Sequence, residues 1–161
     1  MKIRIIYDSF FGNTEKIAQA IHRSLGTAED AVISRVNQTA PGDLAGVQLL
    51  IVGSPTRAFR PTKAITGFLD KIPDSGLKGM KVAAFDTRIA VADVHSRLLN
   101  ILVRFFGYAA KPIAGKLMKK GGELITPSEG FFVKGSEGPL KEGEEERAGL
   151  WTQGILKDSL S

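Results

Sequence analysis

Three stretches of this chain concentrate side chains suited to holding a ligand. Asp8-Ser9-Phe10-Phe11-Gly12-Asn13-Thr14 sets two hydroxyls, an amide, a carboxylate and a glycine close together. Gly53-Ser54-Pro55-Thr56-Arg57-Ala58-Phe59-Arg60-Pro61 adds hydroxyls, two guanidiniums and an aromatic ring between prolines. Asp86-Thr87-Arg88-Ile89-Ala90-Val91-Ala92-Asp93 brings a further hydroxyl and guanidinium. The first stretch reads as the entry to a helix. Unpaired N–H groups and the dipole at a helix start attract an anion. Gly12 lets the backbone approach that anion closely, and Ser9, Asn13 and Thr14 can donate hydrogen bonds to it. The same residues also fit a plain helix cap, with Ser or Asn capping and Gly relieving a tight turn. The stretch is not GxGxxG, and it lacks the Gly-Lys-Ser/Thr ending of a triphosphate loop.

In the second stretch, Pro55 and Pro61 stiffen the loop and Gly53 permits an unusual backbone angle. Thr56 and Arg57 lie where a ligand edge would lie. Phe59 offers a stacking surface for a planar ring, or else packs on the following helix. Thr87 and Arg88 can reach polar atoms of such a ring, and Arg88 reads equally as a solvated charge. Other chemistry is excluded or unsupported. The chain has no cysteine, which removes thiol nucleophiles, disulfides and thiolate metal sites. His22 and His95 have no second ligand at metal spacing, so no metal site is expected. No Ser-His-Asp arrangement or carboxylate pair stands out. Asp8 could suggest a phospho-acceptor, but that chemistry needs an acidic pair there and an aspartate after the third strand, where Gly53 stands.

These stretches must be positioned by the elements between them. The 161 residues suit one domain, 1–161. Strands are expected at 3–7, 31–36, 47–52 and 81–85, with strand-like pieces at 123–126 and 131–134 split by Pro127. Helices are expected at 13–25, closed by Gly26, at 61–71, at 94–106, from Pro112 to Lys120, and from about Glu142 to Lys157. Five strands alternating with helices indicate an α/β fold, a parallel sheet covered on both faces. Ligands of such sheets sit outside the carboxyl ends of the strands, where the three stretches fall.

The first stretch resembles the phosphate loop of the flavodoxins, Ser/Thr-x-Thr-Gly-x-Thr, through Ser9, Phe11, Gly12 and Thr14, with Phe11 in place of the middle threonine. The resemblance implies a three-layer fold with strand order 2-1-3-4-5 over the whole chain, in its short form. It implies FMN as cofactor, with the phosphate on Ser9, Phe10, Phe11, Gly12, Asn13 and Thr14. Ser54, Pro55, Thr56, Arg57, Ala58, Phe59, Asp86, Thr87 and Arg88 would then serve the ring. It implies electron transfer as the function. The Ser-Pro-Thr-Arg run resembles the quinone-reductase branch, and 86–94 lacks the aromatic often found there, so an FMN-dependent NAD(P)H or quinone oxidoreductase is the alternative. A flavin-free interaction domain is a third reading. Arg57 and Arg88 near the ring would favour negative charge on it, and so a less negative second potential.

The charge is unusual for that family. Lys and Arg total 22 against 17 Asp and Glu, a net +5. Six of the cations lie between His95 and Gly122, a stretch without an acid: Arg97, Arg104, Lys111, Lys116, Lys119 and Lys120. This points to a redox partner with an acidic surface. The basic residues lack interleaved aromatics, so nucleic acid is not expected. Residues 94–106 are apolar around nearly the whole helix, as in a helix buried between sheet and neighbour. They also suit a homodimer face or an anionic membrane surface. The N-terminus has no signal-peptide pattern and no apolar run reaches membrane-span length, so a cytoplasmic protein is expected.

Overall fold

The central strands form because short β-branched runs bury both of their faces. In the computed structural model, which describes residues 1–27, 30–93 and 95–160, the sheet begins with β1 (Lys2–Tyr7). It continues with β2 (Asp30–Arg35), β3 (Leu49–Pro55) and β4 (Lys81–Ile89). β5 (Glu123–Leu124) and β6 (Glu129–Val133) complete it. All pairings are parallel, in the order β2-β1-β3-β4-β5, with β6 also on β4. β5 and β6 are two halves of a fifth strand: Lys81 faces Glu123 at one end and Ile89 faces Val133 at the other. The expected order 2-1-3-4-5 therefore holds.

Side chains alternate across the sheet and build two cores. One face packs Ile6, Leu50, Val52, Val82 and Ala84 under α2 (Lys63–Lys71) and α4 (Ala110–Lys119), through Ile65, Leu69, Ile113 and Leu117. The other packs Ile3, Ile5, Ile51, Ala83 and Phe85 under α1 (Asn13–Leu25) and α5 (Glu144–Leu160), through Ile17, Ile21, Ala148 and Ile155. On this face Phe85, Phe131 and Trp151 meet edge to face, with centroids 6.0 to 6.2 Å apart. Gly53 must lack a side chain, because a Cβ there would overlap the Phe85 ring opposite it.

Three expectations need correction. Strand β4 runs to Ile89, not Phe85, because Glu129–Val133 supplies a ladder for Phe85–Ile89; residues 86–88 lie in a strand. Helix α4 opens at Ala110, two residues before Pro112. The larger correction is α3 (Arg97–Phe106), which is not buried. Leu98 is 66%, Leu99 44% and Ile101 51% exposed. α4 occupies the sheet face instead, and α3 is held at its ends by the Ser96 cap on the Leu99 N–H and the turn at Gly107. Val94 and the side chains of Arg104, Phe105 and Phe106, also part of the 94–106 reading, lie outside the described residues. Among the described residues no helix is long and apolar enough to cross a membrane.

Candidate functional site

The loop after β1 is a network of its own side chains. The Asp8 N–H reaches the Gly53 carbonyl at 3.1 Å, which ties it to β3. The Ser9 N–H donates to Asp8 Oδ1 at 2.9 Å, and Gly12 N–H donates to Ser9 Oγ at 3.0 Å. Arg35, at the end of β2, donates to the Ser9 carbonyl and stands 3.9 Å from Asp8 Oδ1. Gly12 has φ +89°, a left-handed conformation suited to glycine, and precedes α1 with no side chain capping the helix. The cap reading therefore fails for both candidates. Ser9 Oγ serves the turn, and the Asn13 amide donates to the Glu137 carbonyl at 3.1 Å. Thr14 Oγ1 meets Thr87 Oγ1 at 2.8 Å. Ser9, Asn13 and Thr14 are all buried, so the start of α1 holds neutral donors and an uncapped positive dipole end.

The second stretch is a miniature hairpin. Arg57 and Arg60 exchange backbone hydrogen bonds at 2.9 and 3.0 Å, and Ala58 and Phe59 turn the corner at φ 45° and 67°. Left-handed angles at two non-glycine residues are unusual. Rigid neighbours hold them: the Thr56 N–H reaches the Thr87 carbonyl at 2.9 Å, and Ser54 Oγ accepts the Thr62 N–H at 3.0 Å. The Arg57 guanidinium lies over the rings of Phe10 and Phe11, at 5.1 and 5.6 Å from their centroids, so it bridges the first and second loops. Phe10 and Phe11 remain 58% and 48% exposed.

The third stretch splits between the two faces of β4. Thr87 points to α1, and Asp86 and Arg88 to α4. Asp86 is fully buried and holds Arg88 in a two-point ion pair at 2.6 and 2.7 Å. Its Oδ2 also accepts the Ala110 N–H at 2.8 Å, and Thr56 Oγ1 accepts the Ala109 N–H at 3.1 Å, so two strand-end residues cap α4. Burial pushes the Asp86 carboxyl up, against the opposing pull of Arg88 and the Ala110 N–H. The Tyr108 ring covers Arg88 at 3.9 Å, and burial raises its phenol. The guanidinium's other neighbour is Gly130, where a Cβ would overlap it. Arg88 is thus wedged between Tyr108 and Gly130.

Ser9, Phe10, Phe11, Asn13, Thr14, Pro55, Thr56, Arg57, Thr87 and Arg88 line one cleft at the carboxyl ends of β1, β3 and β4. Gly12 shapes its turn, and Ser54 and Asp86 act from behind it. Ala58 and Phe59 form the hairpin tip and do not line it. Ile89, Val133 and Ser136 line it as well. The sequence reading missed this fourth wall, the loop after β6, which Asn13 holds through Glu137. The rule that loops at strand carboxyl ends bind ligands applies to that loop too, and would have found it. Tyr108 was missed because it follows α3, outside any strand-end loop. Among the described residues no group of three or more His, Asp and Glu is placed to hold a metal. A phosphate fits the buried hydroxyls of Thr14 and Thr87 and the uncapped α1 start, and Phe10 and Arg57 border the same cleft with an aromatic ring and a guanidinium.

Comparison with known proteins agrees with this fold. The family model described as Flavodoxin matches residues 5–151. A flavodoxin of Klebsiella pneumoniae is 28% identical over 145 residues, covering 83% of this chain and 77% of that protein. The fold is shared with a flavodoxin from the domain Archaea, at TM-score 0.77 and 20% identity over the whole of both chains. Oxidised flavodoxin 1 of Bacillus cereus gives TM-score 0.77 and 18% identity over 98% of each. With the family model spanning residues 5–151 of a chain whose five-stranded order 2-1-3-4-5 is that of the flavodoxin fold, this protein belongs to the flavodoxin family.

Proposed function

We propose that the cleft holds FMN by its phosphate at the Gly12–Thr14 turn, with the ring beside the Arg57 hairpin. Flavodoxins bind FMN and transfer electrons, and this chain does the same. The cofactor supplies the redox chemistry; the protein supplies binding, orientation and charge. The carrying observation is the uncapped start of α1 behind Gly12, with the buried hydroxyls of Thr14 and Thr87 opening into one cleft with the second loop.

Ser9 and Asn13 shape the phosphate turn, and Thr14 and Thr87 donate to the phosphate. Phe10, Phe11, Thr56 and Arg57 border the ring. Ser54, Pro55, Ala58 and Phe59 set the hairpin, and Asp86 and Arg88 form its rear wall. Titration of cofactor-free protein with FMN, followed by quenching of flavin fluorescence, tests this reading. Stoichiometric uptake supports it, and absence of uptake overturns it.

The net positive charge suits a redox partner with an acidic surface. A second contact is favoured by the exposure of Leu98, Leu99 and Ile101 on α3: a homodimer face, or an anionic membrane surface. Sedimentation mass tests the first and vesicle co-sedimentation the second. A monomer that ignores vesicles removes both.

A further inference from the structure

Phe10 and Arg57 have a second side. Beyond them, between the hairpin, α2 and α4, lies a depression of about 1000 Å³ that also counts these two residues among its walls. Its floor is apolar, with Pro61, Ala64, Pro112 and Ile113. Its carboxylates are already paired: Asp70 with Lys116, and Asp8 beside Arg35. Its rim carries Arg60 and Lys63, both exposed, which have no carboxylate partner among the described residues.

From this arrangement we infer that the electron-transfer partner docks in the α2–α4 groove, through an apolar protein segment flanked by carboxylates. The inference rests on the FMN reading and deepens it. Three observations select this occupant. The apolar floor takes side chains that leave water. The unpaired cations at its edge complement carboxylates and disfavour a basic partner. Phe10 is an exposed aromatic beside an arginine, the pair of side-chain types enriched where protein interfaces form. Because Phe10 and Arg57 wall both spaces, a segment seated here lies against the cofactor cleft. Among the described residues of α3, Leu98, Leu99 and Ile101 are also exposed but line neither space.

The test is an NMR titration of the FMN-loaded, ¹⁵N-labelled protein with a synthetic amphipathic helical peptide, leucines on one face and glutamates on the other. Amide shifts are expected at Ala58–Asp70 and Ile113–Lys116. The Arg60→Gln/Lys63→Gln double variant should bind at least fivefold more weakly with its spectrum otherwise unchanged. A peptide with lysines in place of glutamates should not bind. Shifts confined to 97–106, no shifts, or equal binding of the lysine peptide or the double variant overturn the inference. So does a mass that doubles with concentration while the groove amides shift without peptide, which assigns the groove to a second copy. Flavin absorbance reads FMN loading separately. Failure to load overturns the cofactor reading, and the same titration of the cofactor-free protein still scores the groove.

Discussion

Thr14, in the first turn of α1, and Thr87, near the end of β4, join their hydroxyls at 2.8 Å inside the protein. Each hydroxyl carries one proton, and the shared bond uses one of the two. The other is not consumed by that bond, and both residues line the cleft. The start of α1 and the end of β4 are thereby held at fixed separation, and the pair offers a side-chain donor in a chain where Phe11 supplies none.

Replacing Thr87 with Val removes one hydroxyl and unpairs the other. We expect FMN to bind about tenfold more weakly, the order of one hydrogen bond to a charged group. Fluorescence titration measures this, and far-UV circular dichroism should be unchanged. Thr14→Val should act in the same direction, and the double variant should cost less than the sum, because the two groups are in contact.

Arg57 and Arg88 no longer stand as equivalent charges toward the ring. Arg88 is neutralised by Asp86 in a two-point pair, whereas Arg57 rests on two exposed rings. Arg57→Gln should make the second reduction potential more negative, on the order of tens of millivolts for one charge in a partly wet site. Redox titration against a dye series measures the shift.

Gly130→Ala should destabilise the fold. The new methyl would overlap the Arg88 guanidinium, which cannot retreat from Asp86 and Tyr108. Overpacking of this kind costs about 1–3 kcal/mol. Urea unfolding followed by circular dichroism should show the loss. Arg88→Ala should cost more, about 3–5 kcal/mol, because it leaves a buried carboxylate alone.

Glu144 gives the fold an acid limit. Burial works to raise its carboxyl, but hydrogen bonds from Arg147 and the Phe132 N–H, with the charges of Arg147 and Lys141, outweigh it and hold it below its ordinary value of 4.5. A depressed carboxylate stabilises the native state above its unfolded value, and that stabilisation disappears as pH falls through the native one. The stability difference between the protein and Glu144→Gln should therefore be constant above about pH 5 and shrink below pH 4.5. Thermal unfolding across that range checks it.

α3 should be nearly silent in stability. Leu98→Asp and Ile101→Asp place charges on exposed positions, where changes stay within about 0.5 kcal/mol. Leu117→Ala, in the fully buried face of α4, should cost about 2–5 kcal/mol. Denaturant midpoints for the three variants separate a surface helix from a core one.

The outcome for α3 shows where sequence reading stops. The apolar runs Ile3 to Tyr7 and Val47 to Val52 identify the buried strands, and the spacing of Ile17, Ile21 and Leu25 identifies α1, because burial imposes those patterns. The turn at Gly12 into α1 was equally legible, since Gly12 and its neighbours act within a few residues of one another. Residues 94–106 carry the same apolar signal as a core helix, yet α4 took the sheet. Composition reports that a face is apolar but not which competing helix wins the available surface. The roles of Gly130 and Tyr108, and the hold of Asp86 on α4, were hidden for another reason: the partners lie twenty or more residues apart, with Gly130 brought to Arg88 by the register of β4 against β6 and Tyr108 and Ala110 brought to β4 by the turn into α4.

Asp86 and Thr56 grip α4 at Ala110 and Ala109, one residue beyond Tyr108 and directly after the segment that carries α3. Tyr108 stands before that grip. Its ring covers Arg88 and its hydroxyl donates to the Ile89 carbonyl at 3.3 Å, and both of those residues line the cleft. The short link from α3 to α4 is therefore itself a lever on the cleft wall: a molecule that pulled on α3 would act on Arg88 and Ile89 through Tyr108, before the grip on α4 could resist it.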